Sequence, residues 1–405
     1  MPGPLDGLRI IDLSRILAGP TCTQLLGDLG ADVVKIERPG IGDDTRRWGP
    51  PFLKGADGED TTESAYYLSS NRNKRSVTID IGKPEGSELL RRLLAHADVL
   101  IENFKVGGLD RYGLGYRQLE DEFPRLVYCS ITGFGQTGPY ATRPGYDFLV
   151  QAMGGIMSIT GHPDGQPTKV AVGIADVMCG MYAAVAILAA LGHRERTGEG
   201  QHIDLALLDS QVAWLVNEGL NYLTSRNEPI RRGNAHPNVV PYEYFETADG
   251  GIILAVGNDE QFRRFCQFAG APELAADPDY RTNPGRVRNR ARLIPAIAEL
   301  IRRQPSAHWL EGLERLTVPC GPVNSLSEVF ADPQVRHRGM EINMPHPLSG
   351  SGWVSLIGSP VRMSATPVSY HRPPPVLGEH TEEVLRELLG MDEEELAGLR
   401  ARELI

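Results

Sequence analysis

One carboxylate stands alone in the most apolar stretch of this 405-residue chain. From Val170 to Gly192 the sequence runs V-A-V-G-I-A-D-V-M-C-G-M-Y-A-A-V-A-I-L-A-A-L-G, and Asp176 is its only residue of ordinary charge. A carboxylate taken out of water needs a cation, backbone donors or a chemical task. Two readings meet at this position. Asp is a favoured helix N-cap, and Val177 to Leu191 is Ala-rich and apolar nearly all round, as a buried helix would be. A desolvated carboxylate kept ionised by helix N–H groups and the helix dipole is also a nucleophile. The spacing alone leaves both open.

The other familiar kinds of chemistry are poorly supported. Gly133-Phe134-Gly135-Gln136-Thr137-Gly138 fits G-x-G-x-x-G, but Pro139 and Pro144 stand where a phosphate-binding helix would begin, so it reads as a glycine-rich turn beside a site. The turn after the first strand, Ser14 to Pro20, lacks the fingerprint glycines, which disfavours NAD. None of the ten histidines has metal-ligand spacing, and neither a G-x-S-x-G elbow nor a Walker loop is present. No metal is expected, and covalent catalysis by an aspartate gains weight.

Several segments carry a resemblance. P-L-D-G-L-R-I-I-D-L-S-R-I-L-A-G-P (Pro4 to Pro20), G-A-D-V-V-K-I-E-R-P (Gly30 to Pro39), N-R-N-K-R-S (Asn71 to Ser76), I-E-N-F (Ile101 to Phe104), I-A-D-V-M-C-G around Asp176, G-P-V-N (Gly321 to Asn324) and L-G-E-H-T (Leu377 to Thr381) are collinear with the class III CoA-transferases. This is the formyl-CoA and carnitine CoA-transferase family, and the resemblance covers essentially the whole chain. It implies that Asp176 attacks an acyl-CoA thioester to give an acyl-aspartyl anhydride, which CoA thiolate converts to an aspartyl-CoA thioester. An incoming carboxylate attacks that thioester, and the returning thiolate completes the exchange. Coenzyme A and acyl-CoA are then substrates, with no tightly bound cofactor.

Carried over by motif, CoA is held by Ile16, Leu17 and Ala18, by Arg38, by Arg72, Asn73, Lys74 and Arg75, by Asn103 and Phe104, by Arg111, and by the turn Thr132, Gly133, Phe134, Gly135 and Gln136. The arginines and Lys74 suit phosphate groups, Phe104 suits adenine or pantetheine, and the glycine-rich turn is a candidate oxyanion site. Gly257-Asn258-Asp259 is the candidate shield of the intermediates. Racemases of the family carry G-H-D where this chain has Gly145-Tyr146-Asp147. A phenol has no proton to trade near neutrality, so CoA transfer is preferred over an acyl-CoA racemase or a non-catalytic CoA-binding protein. G-D-D-T-R-R-W-G-P-P-F (Gly42 to Phe52) and A-H-P-N-V-V-P-Y (Ala235 to Tyr242) resemble the succinyl-CoA:glutarate branch. A dicarboxylic acceptor would call for a guanidinium at its far end: Arg72 first, Arg286 as helper, Arg46 and Arg47 behind them, with Tyr146 beside the substrate.

These residues need a scaffold. Leu8–Leu13, Ala31–Ile36, Arg75–Asp80, Val99–Glu102, Leu126–Ile131 and Gln201–Leu205 read as strands, with helices from Pro20 to about Gly30 and from Pro84 to Ala95 between them. The expected fold is α/β: a Rossmann-like CoA-binding domain begun by residues 1–223, a linker and smaller α+β domain over 224–320, and a return over 321–405 that completes the large domain. By resemblance the chain forms an interlocked, ring-shaped homodimer. A net charge of −11 argues against nucleic acid while allowing a local basic pocket. Gly173, Asp176 and Gly180 interrupt the apolar run, which argues against a membrane span, and the opening Met1-Pro2-Gly3-Pro4-Leu5-Asp6 does not read as a signal peptide. Five scattered cysteines without a C-x-x-C pair point to a reducing cytoplasm.

Overall fold

A computed structural model describes residues 3–405. Met1 and Pro2, on which the reading of a leader also drew, lie outside the described residues. The chain divides into two compact units, one of residues 1–154, 170–214 and 333–405, the other of 155–169 and 215–332.

In the first unit, β1 (Arg9–Asp12) leads through α1 (Ala18–Asp28) to β2 (Asp32–Glu37). A hairpin of β3 (Phe52–Lys54) and β4 (Asp60–Ser64) and the short helix α2 (Ala65–Leu68) precede β5 (Lys74–Thr78). Next come α3 (Pro84–Leu94), β6 (Val99–Glu102), α4 (Tyr116–Leu119), β7 (Val127–Thr132) and α5 (Asp147–Met153). After α6 (Ile156–Ile159), which belongs to the second unit, come α7 (Ile174–Thr197), β8 (His202–Ala206) and α8 (Leu207–Ala213). Six strands form one parallel sheet in the order β5-β2-β1-β6-β7-β8. The chain builds outward from β1 in one direction and then returns to its other side with β6. At such a reversal the loops at the carboxyl ends of the two central strands part and leave a crevice.

Alternation along the strands feeds two apolar layers. Ile10, Val33, Val99, Ile101 and Val127 pack with Cys22 and Leu26 of α1 and with Cys179, Ala183 and Ile187 of α7. Ile11, Val34, Val77 and Leu100 face the opposite layer, with Leu89, Leu90 and Leu93 of α3 and Val384, Leu385 and Leu396 from the C-terminal return. A sheet covered on both faces accounts for the near-continuous apolar strands.

α7 is long and apolar enough to cross a membrane by length and composition alone. Its small residues have another use. A Cβ on Gly180 would sit 2.4 Å from the Ala18 carbonyl oxygen, so α7 meets the first turn of α1 at a distance only glycine permits. Asp176 is therefore carried up beside the turn that follows β1.

The second unit holds a three-stranded antiparallel sheet of Tyr242–Glu246, Gly251–Ala255 and Cys320–Pro322, with helices including Asp259–Phe268, Arg290–Ile301 and Ser306–Arg315. Phe262, Phe265, Leu293, Ile297 and Trp309 fill its core.

The tight crossing yields a paired prediction. Gly180→Ala should lower stability by about 1–3 kcal/mol, the usual range for overpacking, even though alanine is the better helix former. Gly192→Ala, in the same helix where the nearest atom is 3.9 Å from a built Cβ, should instead be neutral or stabilising by up to about 1 kcal/mol. Thermal or denaturant unfolding of the two variants checks the contrast.

Candidate active site

The helix carrying Asp176 begins earlier than its sequence indicated. Gly173 is the N-cap and Ile174 the first residue, so Asp176 sits in the first turn and is not the cap. The helix-start donor goes to another carboxylate: the Ala175 N–H donates to Asp147 Oδ1 at 2.8 Å, and Gln151 Nε2 donates to Asp147 Oδ2 at 2.7 Å. Asp176 is half-buried, and among the described residues nothing donates a hydrogen bond to its side chain. Burial, reinforced by the nearby negative charge of Asp147, pushes its pKa up to about 7. The expectation of a carboxylate held ionised by backbone donors is thus corrected; this one titrates near neutrality.

Asp176 lines a cavity of about 170 Å³ with Ile16, Leu17 and Ala18 from the turn after β1, Asn103 and Phe104 from the loop after β6, Thr132 and Gly133 at the end of β7, and Tyr146. Gly133 and Gly145 approach so closely that a Cβ on either would fall within 2.6 Å of the other's Cα, which explains glycine at both positions. Arg15, Phe104, Lys105 and Val106 also line a second cleft of about 820 Å³, which includes Arg38 and Arg111. Arg38, Lys105 and Arg111 form no salt bridge with any described residue, and the Arg111 guanidinium lies 4.5 Å from the Tyr112 ring. The larger cleft carries Arg15, Arg38, Lys105 and Arg111 alongside the acidic side chains of Glu37, Asp43, Asp44 and Asp80, and it meets the Asp176 cavity at the sheet's reversal point.

Other predicted residues lie elsewhere. Arg72 is buried; its Nε and Nη2 donate to Asp28 at 2.9 and 2.6 Å, and its Nη1 donates to the Ile357 carbonyl. Asn73 donates to Asp28 and to the Ser369 carbonyl. Lys74 pairs with Asp12 and donates to the Asn71 side chain, with burial drawing its pKa down to about 8. Arg75 is held by Asp32 and Glu387. Arg46 is clamped between Glu37 and Glu63. Arg286 is fully buried, donating to the Val240 and Tyr280 carbonyls and to Asp259. These six groups bind the fold to itself, and none of them lines either cleft. Arg47 is exposed and lines neither cleft. Phe134, Gly135 and Gln136 also lie outside both. The Gly135 and Gln136 N–H groups donate to Thr132 Oγ1 and Asp204, so they are not free to meet an oxyanion. In the second unit, Asn258 caps the helix Asp259–Phe268, its side chain accepting from the Gln261 N–H.

Sequence reasoning missed one group that lines the cavity, Arg143, and two electrostatic neighbours of Asp176, Tyr66 and Asp147. Arg143 lines the cavity without lining the larger cleft, its guanidinium 3.9 Å from the Tyr140 ring and free of any salt bridge among the described residues. Burial, reinforced by the charges of Asp176, Asp147 and Asp43, pushes the Tyr66 pKa up to about 12. Asp147 was legible in G-Y-D, where only the tyrosine was weighed. No cluster of histidine, cysteine and acidic residues suitable for a metal occurs among the described residues.

A family model for CoA-transferase family III matches residues 5–381. The chain belongs to that family. An Agrobacterium fabrum relative named succinate–glutarate CoA-transferase is 52% identical over 385 residues, covering 95% of this chain and 96% of the relative. The Homo sapiens succinyl-CoA:glutarate CoA-transferase is 45% identical over 396 residues, covering 98% and 88%. A crystal structure of a CAIB/BAIF family protein from Brucella suis superposes with a TM-score of 0.84 at 49% identity, covering 96% of this chain and all of that one. This family III CoA-transferase thus shares its α/β architecture with solved relatives.

The perturbed carboxylate gives a pH prediction. A carboxyl raised to about 7 is ionised above that value and neutral below it, so kcat/KM should fall on the acid side with an apparent pKa near 7. Asp147→Asn removes the like charge while leaving an amide oxygen to accept from Ala175, and should move that limb to lower pH. Rate profiles from pH 5 to 9 for both proteins test this; superimposable profiles would detach Asp147 from the titration.

Proposed function

We propose that this enzyme moves CoA from succinyl-CoA to glutarate or a similar short dicarboxylic acid through covalent intermediates on Asp176. One observation carries the reading: an unpaired carboxylate whose pKa is raised to about 7 shares its cavity walls with a cleft in which Arg38, Lys105 and Arg111 have no acidic partner among the described residues. The names of the relatives supply the acids. Arg38, Lys105 and Arg111 have the charge to meet CoA phosphates, and Phe104 lies where both clefts meet. An Asp176 oxygen attacks the thioester carbonyl, the C–S bond breaks, and thiolate leaves an acyl-aspartyl anhydride. Thiolate attacks the aspartyl carbonyl, releases the first acid as carboxylate, and leaves aspartyl-CoA. The acceptor carboxylate then attacks that thioester to form a second anhydride. Thiolate attacks the acceptor's carbonyl, which restores Asp176 and yields the new acyl-CoA. CoA enters and leaves as substrate, so this chemistry asks for no resident cofactor.

No histidine lines the Asp176 cavity, and the residue at the racemase position is Tyr146, 61% exposed. A two-base proton shuttle has no imidazole there. With Arg72, Arg46 and Arg286 engaged elsewhere, Arg143 is the guanidinium best placed for the far carboxylate of the acyl group.

The surface of α7 supports self-association. Ala183, Ala184, Ile187 and Ala190 are buried, while Met181, Tyr182, Val185 and Leu188 are exposed on the opposite face. Tyr146, Phe148, Leu149 and Met153 extend the exposed apolar area on and beside α5. A second copy of this chain is the proposed cover, as a homodimer in which the chains interlock. Five free thiols, four of them buried, suit a reducing compartment such as the cytoplasm.

Three outcomes are expected. Incubation with succinyl-CoA and a panel of carboxylic acids, read by mass, should show CoA exchange with dicarboxylates; Asp176→Asn should fold, lose exchange by at least a thousandfold, and lose the acyl adduct at residue 176. Arg143→Met should weaken glutarate and succinate as acceptors by about 1.5–3 kcal/mol, the worth of a hydrogen bond to a charged group, while sparing monocarboxylates. Equal loss for all acids would return Arg143 to a general role. Sedimentation should find a dimer that does not dissociate on dilution, and Val185→Asp should disrupt it.

A further inference from the structure

The turn between β1 and α1 is strained, and the strain is held from outside. Ile16 has φ of +74°, a left-handed conformation that a β-branched residue rarely adopts. Such outliers persist where the surroundings over-determine them, and they gather at functional sites. Here the surroundings are explicit. The Ile16 N–H donates to both oxygens of Asp43 at 3.2 Å. Asp43 also accepts from Lys35 Nζ at 2.9 Å and from the Thr45 N–H and hydroxyl at 3.0 and 2.7 Å. Lys35 Nζ in turn donates to the Ser14 carbonyl at 2.8 Å, and both charged side chains are 0% exposed. Asn103 brackets Arg15, accepting from its N–H at 2.9 Å and donating to its carbonyl at 2.7 Å.

The clamped turn leads directly into the catalytic cavity. Ile16, Leu17 and Ala18 line it beside Asp176, and Leu17 Cδ2 lies 2.9 Å from the place a Cβ on Gly173, the N-cap of α7, would occupy. Leu17 caps α1 without any side-chain hydrogen bond, so the first N–H groups of that helix lack an internal partner at the cavity wall. A shift of this turn would change the distance between those groups and the reacting carbonyl on Asp176, and displacements of about 1 Å at such points cost rates heavily.

We propose that the buried Lys35–Asp43 pair is a positioning device for acyl transfer, holding Ile16 in its left-handed conformation so that the start of α1 is fixed against Asp176. The inference rests on the CoA-transfer reading. A pair that served only stability would affect folding without a selective effect on turnover.

The test combines removal with relief. Lys35→Met with Asp43→Asn removes both charges together, so neither is left buried alone. In the exchange assay this paired variant should lose at least tenfold in kcat while KM for succinyl-CoA changes less than threefold. Adding Ile16→Gly, which takes positive φ without strain, should recover at least fivefold of the lost kcat. Unchanged kcat in the paired variant, or a triple variant within twofold of the paired one, would overturn the proposal. Should the paired variant not fold, Lys35→Gln with Asp43→Asn, which also removes both charges together, carries the same comparison with and without Ile16→Gly. If these too fail to fold, the pair is a folding element and the proposal is wrong. Absence of exchange by the unmodified enzyme would instead sink the CoA-transfer reading itself.

Discussion

The site depends on how closely two helices approach. Because Gly180 has no Cβ, α7 rests against the Ala18 carbonyl, and the start of α1 lies beside the first turn of α7. Neither helix start is ordinary. α1 has no side-chain cap, and the cap of α7 is provided from a distance by Asp147, which leaves Asp176 free of donors. The parallel sheet completes the arrangement, since reversal of strand order between β1 and β6 separates the loops that form the remaining walls. A bulkier residue at the crossing would move the nucleophile, whatever the composition of the pocket.

Charge is distributed by the same geometry. β5 is buried along its whole length, so Lys74 and Arg75 leave it inside the protein and need acidic partners there. Arg46 between Glu37 and Glu63, Arg72 on Asp28, and Lys35 on Asp43 follow the same rule. Removing one partner from such a pair strands a buried charge, a change typically costing about 3–5 kcal/mol. The cations that line the two clefts without an acidic partner among the described residues follow the carboxyl ends of strands: Arg38 after β2, Lys105 and Arg111 after β6, Arg143 after β7.

That distinction marks how far the sequence could be read. Strand Val99–Glu102 was legible to the residue, and the other five strands of the sheet to within about two, because each is a short run with apolar residues between turn signals. Asp176 was legible because a lone charge in an apolar run is conspicuous. Lys35 in V-V-K-I offered the same signal and was passed over. The start of α7 was misplaced because its cap comes from Asp147, 29 positions before Asp176 and invisible to a local reading. Basic residues in N-R-N-K-R-S were legible as charge but not as partners, since Asp12, Asp28, Asp32 and Glu387 reach them only through the tertiary fold.

An unpaired carboxylate at the end of an apolar helix looks like a fault in the design, and for stability it is one. Its folded-state pKa stands above the ordinary carboxylate value, so the folded state loses stability as pH rises from about 4 to about 7, where the unfolded chain ionises first. The proposed chemistry gives the penalty a use. Burial disfavours the charged carboxylate but not a neutral anhydride or thioester on the same oxygen or carbon. The surroundings that raise the pKa of Asp176 therefore raise the free carboxylate in energy relative to its acylated forms. They also make the carboxylate a better nucleophile, since basicity and nucleophilicity rise together in oxygen anions. A cation beside Asp176 would cancel both effects. The structure instead pairs its buried cations with other acids and gives Asp176 a second carboxylate, Asp147, as neighbour.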